Sequence, residues 1–270
     1  MGRYFKLAKE SGWDFWTGNT INYRDNIGGV VRPPKADSHG ALCTNSFVHA
    51  SDEPNKCFVG ATIPCSAYIV EGEPIASDEE KCGFVELSVI SEITDLDKLF
   101  GWNYTEACNP THPFKLTAKR VMTDERIALL QEWNSVRASV MASVRASVRN
   151  SVGNSVWDSV WDSVWNSIGD SVGNSVWDSV WDSVRNSVWN SVRDSVWDSV
   201  RNSVWNSVYG YIGSLFPCVP DWQCIDHESA VYPYQPVVDL WKQGIVPSFD
   251  GTLWRLHSGR KASVIWEGVL

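Results

Sequence analysis

The chain contains no run of about 18 consecutive apolar residues, which excludes an ordinary membrane-spanning helix, and its first residues hold no apolar stretch of the kind a secretion signal needs. A cytoplasmic protein with no membrane partner is expected. Cysteine pairing is missing too: the seven cysteines, at 43, 57, 65, 82, 108, 218 and 224, are odd in number, scattered, and never spaced Cys-x-x-Cys. That pattern signals neither a disulfide framework nor a zinc ribbon, and reduced, mostly buried thiols are the expectation. Basic charge is scarce, with 23 Lys and Arg against 32 Asp and Glu and a formal net charge of -9, so no broad attraction for nucleic acid is expected. No glycine-rich phosphate loop follows a strand, because Gly28-Gly29 is an isolated pair, and no cofactor is implied.

One short unit is abundant instead. From Ser135 to Val208 the pattern Ser-Val-x-y recurs nineteen times in register, with Val replaced only at Ile168. The third position is Trp, Arg, Gly or Met and the fourth is Asp, Asn or Ala. Two constant small residues beside two variable ones imply that Ser and Val face a constrained interior while x and y face something else.

Two architectures compete for this segment. A four-residue period overshoots an α-helical turn by about 40°, so on a straight helix the Ser-Val stripe winds around the cylinder. Ser, Val, Trp, Asp and Asn are also weaker helix formers than Ala by roughly 0.4–0.7 kcal/mol each. A β-solenoid with a whole number of units per coil would keep Ser and Val inside throughout. Against this, Thr123 is a ready N-cap, Asp124 and Glu125 put negative charge in a first turn, and Ile127, Leu129, Leu130, Trp133 and Val136 recur at helical spacing. Asp182 with Arg185, and Asp198 with Arg201, stand at i,i+3, and the region has no proline. A long helical hairpin closed at Gly169 and Gly173, with arms 124–168 and 174–214, is the favoured architecture, and the β-solenoid is the alternative. Gly153 has no role in that hairpin.

Eight third positions are Trp: Trp157, Trp161, Trp165, Trp177, Trp181, Trp189, Trp197 and Trp205. With Arg185, Arg193 and Arg201 they are the candidate binding residues, since neighbouring units permit Trp-Arg cation–π contact. So much indole on an outer face calls for a cover. The cover is the other half of the hairpin, a second copy of the chain, or a protein partner, sugar or nucleobase.

The flanks complete an α+β class in three parts: a strand-rich N-terminal α+β domain over 1–122, the repeat region with its helical start over 123–208, and a small α+β cap over 209–270. Tyr4 to Leu7, Ala67 to Glu71 and Gly83 to Ile90 are strand-like, and 95–100 forms a short helix before Gly101. In the cap, 237–243 reads as a helix stopped by Gly244. Phe249-Asp250-Gly251-Thr252 turns a hairpin between 245–246 and 253–256, and 262–266 adds a strand.

Two stretches carry a likeness. Leu42-Cys43 through His49 and Pro54, with Tyr68-Ile69-Val70-Glu71-Gly72-Glu73 and Lys81-Cys82-Gly83-Phe84, resembles a family of uncharacterised phage and bacterial domains that precede a repeat region. The tail Asp239-Leu240-Trp241 through Gly244, Val246-Pro247-Ser248-Phe249-Asp250-Gly251 and Trp254-Arg255-Leu256-His257 resembles the end of phage and gut-bacterial proteins with Ser-Val repeats. The likeness implies a mobile-element origin, a bacterial host cytoplasm and a repeat of drifting copy number. It brings no activity.

Candidate chemistry is sparse. His49 lies near Cys43, Cys57 and Cys65, but the spacings fit no ordinary metal-ligand pattern, and a Cys-His nucleophile pair lacks an orienting third group. Glu71 and Glu73, with Thr44-Asn45-Ser46 before them, faintly resemble the acidic and hydroxyl motifs of ADP-ribosyltransferases. In those enzymes a strand-end Glu stabilises charge developing on the ribose and a polar strand holds the dinucleotide. His227, His257 and Asp226 read as surface residues. The expectation is a non-enzymatic binding or scaffolding protein whose repeat is a spacer or a self-association surface. The alternatives are an ADP-ribosyltransferase-like N-terminal domain and a phage inhibitor of a host defence protein.

Overall fold

The computed structural model describes residues 2–116, 121–184 and 190–270, with the side chains of 182–184 and 190–194 outside the described set. The fold is mixed α and β, in two compact units: Met1–Cys108 with Val152–Val160, and Asn109–Ser151 with Trp161–Leu270.

In the first unit, β1 (Gly2–Lys9), β2 (Val30–Val31), β4 (Cys65–Gly72) and β7 (Leu87–Ile93) form an antiparallel sheet of order β1-β4-β7-β2. A second sheet, β3-β6-β5, joins β3 (Val48–Ala50), β5 (Ala76–Ser77) and β6 (Cys82–Phe84). The expected strand over Gly83 to Ile90 is thus two strands in two sheets, separated at Val85-Glu86. Tyr4 and Ala8 alternate onto the core face of β1, where they meet Tyr68, Val70, Phe84 and Leu87. The short helices α1 (Leu96–Phe100) and α2 (Tyr104–Cys108) close an aromatic cluster of Phe58, Phe100, Trp102 and Tyr104. Asp95 caps α1 by accepting the Lys98 N–H, and Gly101 ends it at φ 75°.

The second unit holds α3 (Asp124–Val136), α4 (Val140–Val152), α6 (Asp170–Val184), α7 (Asn190–Gly213), α8 (Gln235–Lys242) and the antiparallel sheet β10-β9-β8. Its strands are β8 (Ile245–Phe249), β9 (Trp254–Ser258) and β10 (Ser263–Gly268). Thr123 caps α3 as its sequence implies, accepting the Arg126 N–H. The chain between α4 and α6 is α5 (Asn154–Val164) followed by a π-turn, Trp165–Gly169.

Among the described residues the Ser-Val segment is helical and carries no strand. Energetics explain why weak propensity does not prevent this. Four poor helix formers cost about 2 kcal/mol per unit relative to Ala. Burying one Val contributes about 1.5–3 kcal/mol, and each indole pair about 0.5–1.5 more. Val140, Val144, Val148, Val156, Val160, Val164, Ile168, Val172, Val176 and Val180 are all buried.

A straight helix could not keep that stripe inside, so the chain resets its phase. Gly153 adopts φ 97° and separates α4 from α5. The π-turn rotates less per residue than an α-turn and takes back part of the 40° overshoot.

The expected closure at Gly169 and Gly173 does not occur. The helical backbone runs through both, from the π-turn into α6. Gly169 makes room for an indole instead: a Cβ there would stand 2.7 Å from Trp165 Cε3. Ring pairs Trp161–Tyr209, Trp165–Trp205 and Trp177–Trp197 show α7 antiparallel to the 161–184 helix, because the partner numbers fall as the first numbers rise.

The serines do more than stay small. Ser147 accepts the Gln223 N–H at 2.7 Å and Ser203 the Phe249 N–H at 2.9 Å, both in the second unit. In the first, Ser159 accepts the Ile63 N–H at 2.9 Å. Each hydroxyl satisfies a backbone donor outside the repeat.

Candidate functional site

Several ionisable groups line a cleft of about 190 Å³ in the first unit. Lys6 comes from β1, on the same face as Tyr4 and Ala8, so its side chain enters the core side of the strand. Asp14 comes from the turn after β1. Its carboxylate accepts the N–H groups of Trp16 (3.1 Å) and Thr17 (2.9 Å) and lies 2.7 Å from Lys6 Nζ. The Lys6 ammonium also stands 5.2 Å from the centre of the Tyr23 ring. His49 projects from β3, Cys57 from the turn Pro54–Phe58, and Lys81 from just before β6. Leu7, Val59 and Ala61 supply apolar wall, and Trp16 stands at the lining 77 % exposed.

The protonation states follow from this packing. Burial alone would lower the Lys6 pKa, but the Tyr23 hydroxyl and the Asp14 carboxylate outweigh it and hold it above its ordinary value. Burial pushes Tyr23 up to about 12, so near neutral pH it is un-ionised and Asp14 is the charge that keeps Lys6 protonated. Asp14 itself would be raised by burial and is lowered by Lys6 and its backbone donors. Burial, then the cations Lys6 and Lys81, push His49 down to about 4. Burial pushes Cys57 up to about 11, and its thiol donates to Phe5 O at 3.1 Å.

His49 Nε2 accepts the Cys43 N–H at 3.2 Å, which assigns the proton to Nδ1. Cys43 holds a left-handed backbone, φ 70°, beside it. The cleft therefore offers a neutral imidazole whose basic nitrogen is occupied, a protonated thiol, and a lysine held as a cation.

Of the residues singled out in the sequence, His49, Cys43 and Cys57 line this cleft together. Cys65 does not; it is buried with its backbone N–H and C=O both on Tyr104 OH. Glu71 lies one residue before the end of β4, paired with Arg3 at 3.4 Å, Glu73 is exposed beyond the strand, and Thr44-Asn45-Ser46 is a turn rather than a polar strand. Neither glutamate is part of the cleft lining. Among the described residues no group of three His, Cys, Asp or Glu side chains is placed to hold a metal ion. The cysteines are all free thiols, but Cys65 alone is fully buried, while Cys43, Cys218 and Cys224 are exposed.

Lys6 and Asp14 were not singled out by sequence, because nothing in their spacing marks a pair. The available signal was a lysine alternating with Tyr4 and Ala8 on an inward face, which requires an acidic partner.

The repeat tryptophans are gathered in ring contacts. Trp161 stacks on Trp165 at 5.0 Å and lies tilted against Tyr209 at 4.6 Å, Trp165 meets Trp205 edge-on at 5.3 Å, and Trp177 meets Trp181 and Trp197. The Arg201 guanidinium lies 4.0 Å from the Trp205 ring centre, the cation–π contact that the four-residue spacing permits. Trp157 is buried in the first unit. Trp189, Arg185 and the Arg193 side chain lie outside the described residues.

His257 is not a surface residue. It is fully buried on β9, its Nδ1–H donating to Ala262 O (2.9 Å) and its Nε2 accepting the Ser248 hydroxyl (2.7 Å). That serine–histidine pair is sealed from solvent, and burial pushes the imidazole down to about 4. His227 does stand at the surface, tied to the Trp222 N–H and Glu228 O. No helix among the described residues is long and apolar enough to cross a membrane. Compared with protein families, with curated proteins and with solved structures, the chain matches none.

Proposed function

We propose that the protein is a non-enzymatic binding or scaffolding protein, in which the Ser-Val helices form a rigid spacer and the first-unit cleft is a recognition element. The observation that carries this is the state of the cleft: Lys6 is ion-paired, the His49 lone pair is occupied and the Cys57 thiol is held protonated, so these three groups suit holding a ligand better than acting as nucleophile or base. Rigidity of the repeat is supported by the buried Val stripe and by the ring ladder bracing α7 against the 161–184 helix. The likeness to repeat-bearing phage and gut-bacterial proteins fits the same reading, with the host cytoplasm as its setting.

Brief alkylation by iodoacetamide at pH 7.5, followed by peptide mapping, should modify the exposed Cys218 and Cys224 well before Cys57. Cys57 reacting as fast as the exposed thiols would contradict the proposal. So would turnover of nicotinamide dinucleotide by the full chain that is lost in Glu73→Gln, which would move the protein into the enzyme class.

A further inference from the structure

Three glycines occupy third positions of the repeat, and two have a structural reason. Gly153 takes a left-handed backbone, and Gly169 lies under the Trp165 indole. Gly173 has neither. Its φ is not positive, a Cβ there would meet nothing within 4 Å, and it sits inside a continuous helix where glycine destabilises relative to alanine. What glycine does at this third position, where most units carry Trp or Arg, is leave unfilled the space that such a side chain would take.

The space it keeps is a pocket of about 170 Å³ between α6 and α7, within the second unit. In the Trp series along this helix, Trp165 and Trp177 are twelve residues apart, about 18 Å at helical rise, with only Gly169 and Gly173 as third positions between them. The Trp165–Trp205 pair closes one end at 83° between ring planes, and the Trp177–Trp197 pair closes the other at 89°. These four indoles are half-buried walls, whereas Asp170, Asn174 and Arg201 in the same lining are exposed, at the mouth.

The ligand class follows by elimination. The Arg201 guanidinium already occupies the cation position over Trp205, so a cationic guest would be repelled. A sugar can also stack its C–H face on indole, but its hydroxyls radiate all round the ring edge and need more partners than Asp170, Asn174 and Arg201 supply at one mouth. The volume is below the roughly 300–1,000 Å³ of drug-sized sites, which suits a single small ring system. A purine has two apolar faces to stack and confines its polar atoms to its edge. Asp170 can accept from the N1–H and N2–H groups of guanine, and Arg201 can donate to its O6 and N7. We infer that this interruption of the Trp ladder is a binding site for a purine base, guanine ahead of adenine, taken as free base or nucleoside.

Calorimetric titration of the full chain with guanosine tests this. Guanosine should bind, with adenosine at least about tenfold weaker. Gly173→Trp, which continues the ladder into the pocket, should abolish binding while leaving the far-ultraviolet circular dichroism unchanged. Asp170→Asn, on an exposed helical position, should bring the two nucleosides close to equal affinity, and it carries the test if Gly173→Trp does not fold. The inference is overturned if guanosine gives no heat at about 1 mM, if a folded Gly173→Trp binds it unchanged, if Asp170→Asn leaves the preference intact, or if glucose or cellobiose binds where guanosine does not.

Discussion

Three glycine-to-alanine substitutions within one repeat should change stability with different signs. At Gly173 the new methyl enters open space in a helix interior, so the full propensity difference of about 1 kcal/mol should appear as stabilisation. At Gly169 the same gain is set against a Cβ 2.7 Å from the Trp165 ring. The indole must leave its stack on Trp161 and its edge contact with Trp205, each worth about 0.5–1.5 kcal/mol, so the net effect is a loss of up to about 2 kcal/mol. At Gly153 no atom is within reach, but φ 97° makes alanine cost roughly 1–2 kcal/mol through the backbone alone. Each kcal/mol moves the melting temperature of a chain this size by about 2–4 °C. Differential scanning calorimetry should rank Gly173→Ala above the parent, and the parent above Gly169→Ala and Gly153→Ala. If Gly173→Ala melts lower, or Gly169→Ala higher, the assignment of one glycine to space and the other to an indole is wrong.

Asp14→Asn should destabilise the fold by about 3–5 kcal/mol in urea unfolding by stranding the Lys6 ammonium, and adding Lys6→Met to Asp14→Asn, which keeps an acceptor for the Trp16 and Thr17 N–H groups, should recover most of that; additive losses would show that the pair is not coupled. His257 has a folded pKa near 4 against about 6.5 unfolded, so the unfolded chain binds more protons between those values and stability present above pH 6.5 is lost as pH falls toward 4. His257 should contribute about 3 kcal/mol of that loss, and urea midpoints for His257→Gln should fall less steeply with pH than the parent's while His49 keeps its own share; an unchanged slope would place the titration elsewhere. Ser203→Ala should cost about 1–3 kcal/mol by leaving the Phe249 N–H unpaired, whereas Ser199→Ala, on the same helix, should be near neutral; equal effects would mean that the hydroxyl at 203 contributes no hydrogen bond.

Local elements were legible because their determinants are local. Thr123 with Asp124 and Glu125 marks a helix start within four residues, Asp95 and Gly101 bracket α1, and Asp250-Gly251 turns the β8–β9 hairpin. Each rests on a cap or a left-handed turn that a few neighbours decide. The four-residue period likewise announced a buried Val stripe, since only a constrained interior holds one residue type through so many units.

Where the stripe goes was not legible. Period four conflicts with 3.6 residues per turn, and the conflict is resolved by a left-handed Gly153 and a π-turn whose positions depend on what packs against them. Gly169 and Gly173 look identical in sequence, yet one lies under an indole and the other opens a pocket. The Lys6–Asp14–His49 cleft is more distant still from the linear chain: a strand, a turn and another strand bring those groups together across sheets, and only burial sets their charges. Sequence alone determined the helix starts, the turns and the period, because these are settled by neighbours a few residues apart. The phase of the helices, the use of each repeat serine and the protonation of the cleft were decided by folding, because packing and desolvation act between residues that are distant along the chain.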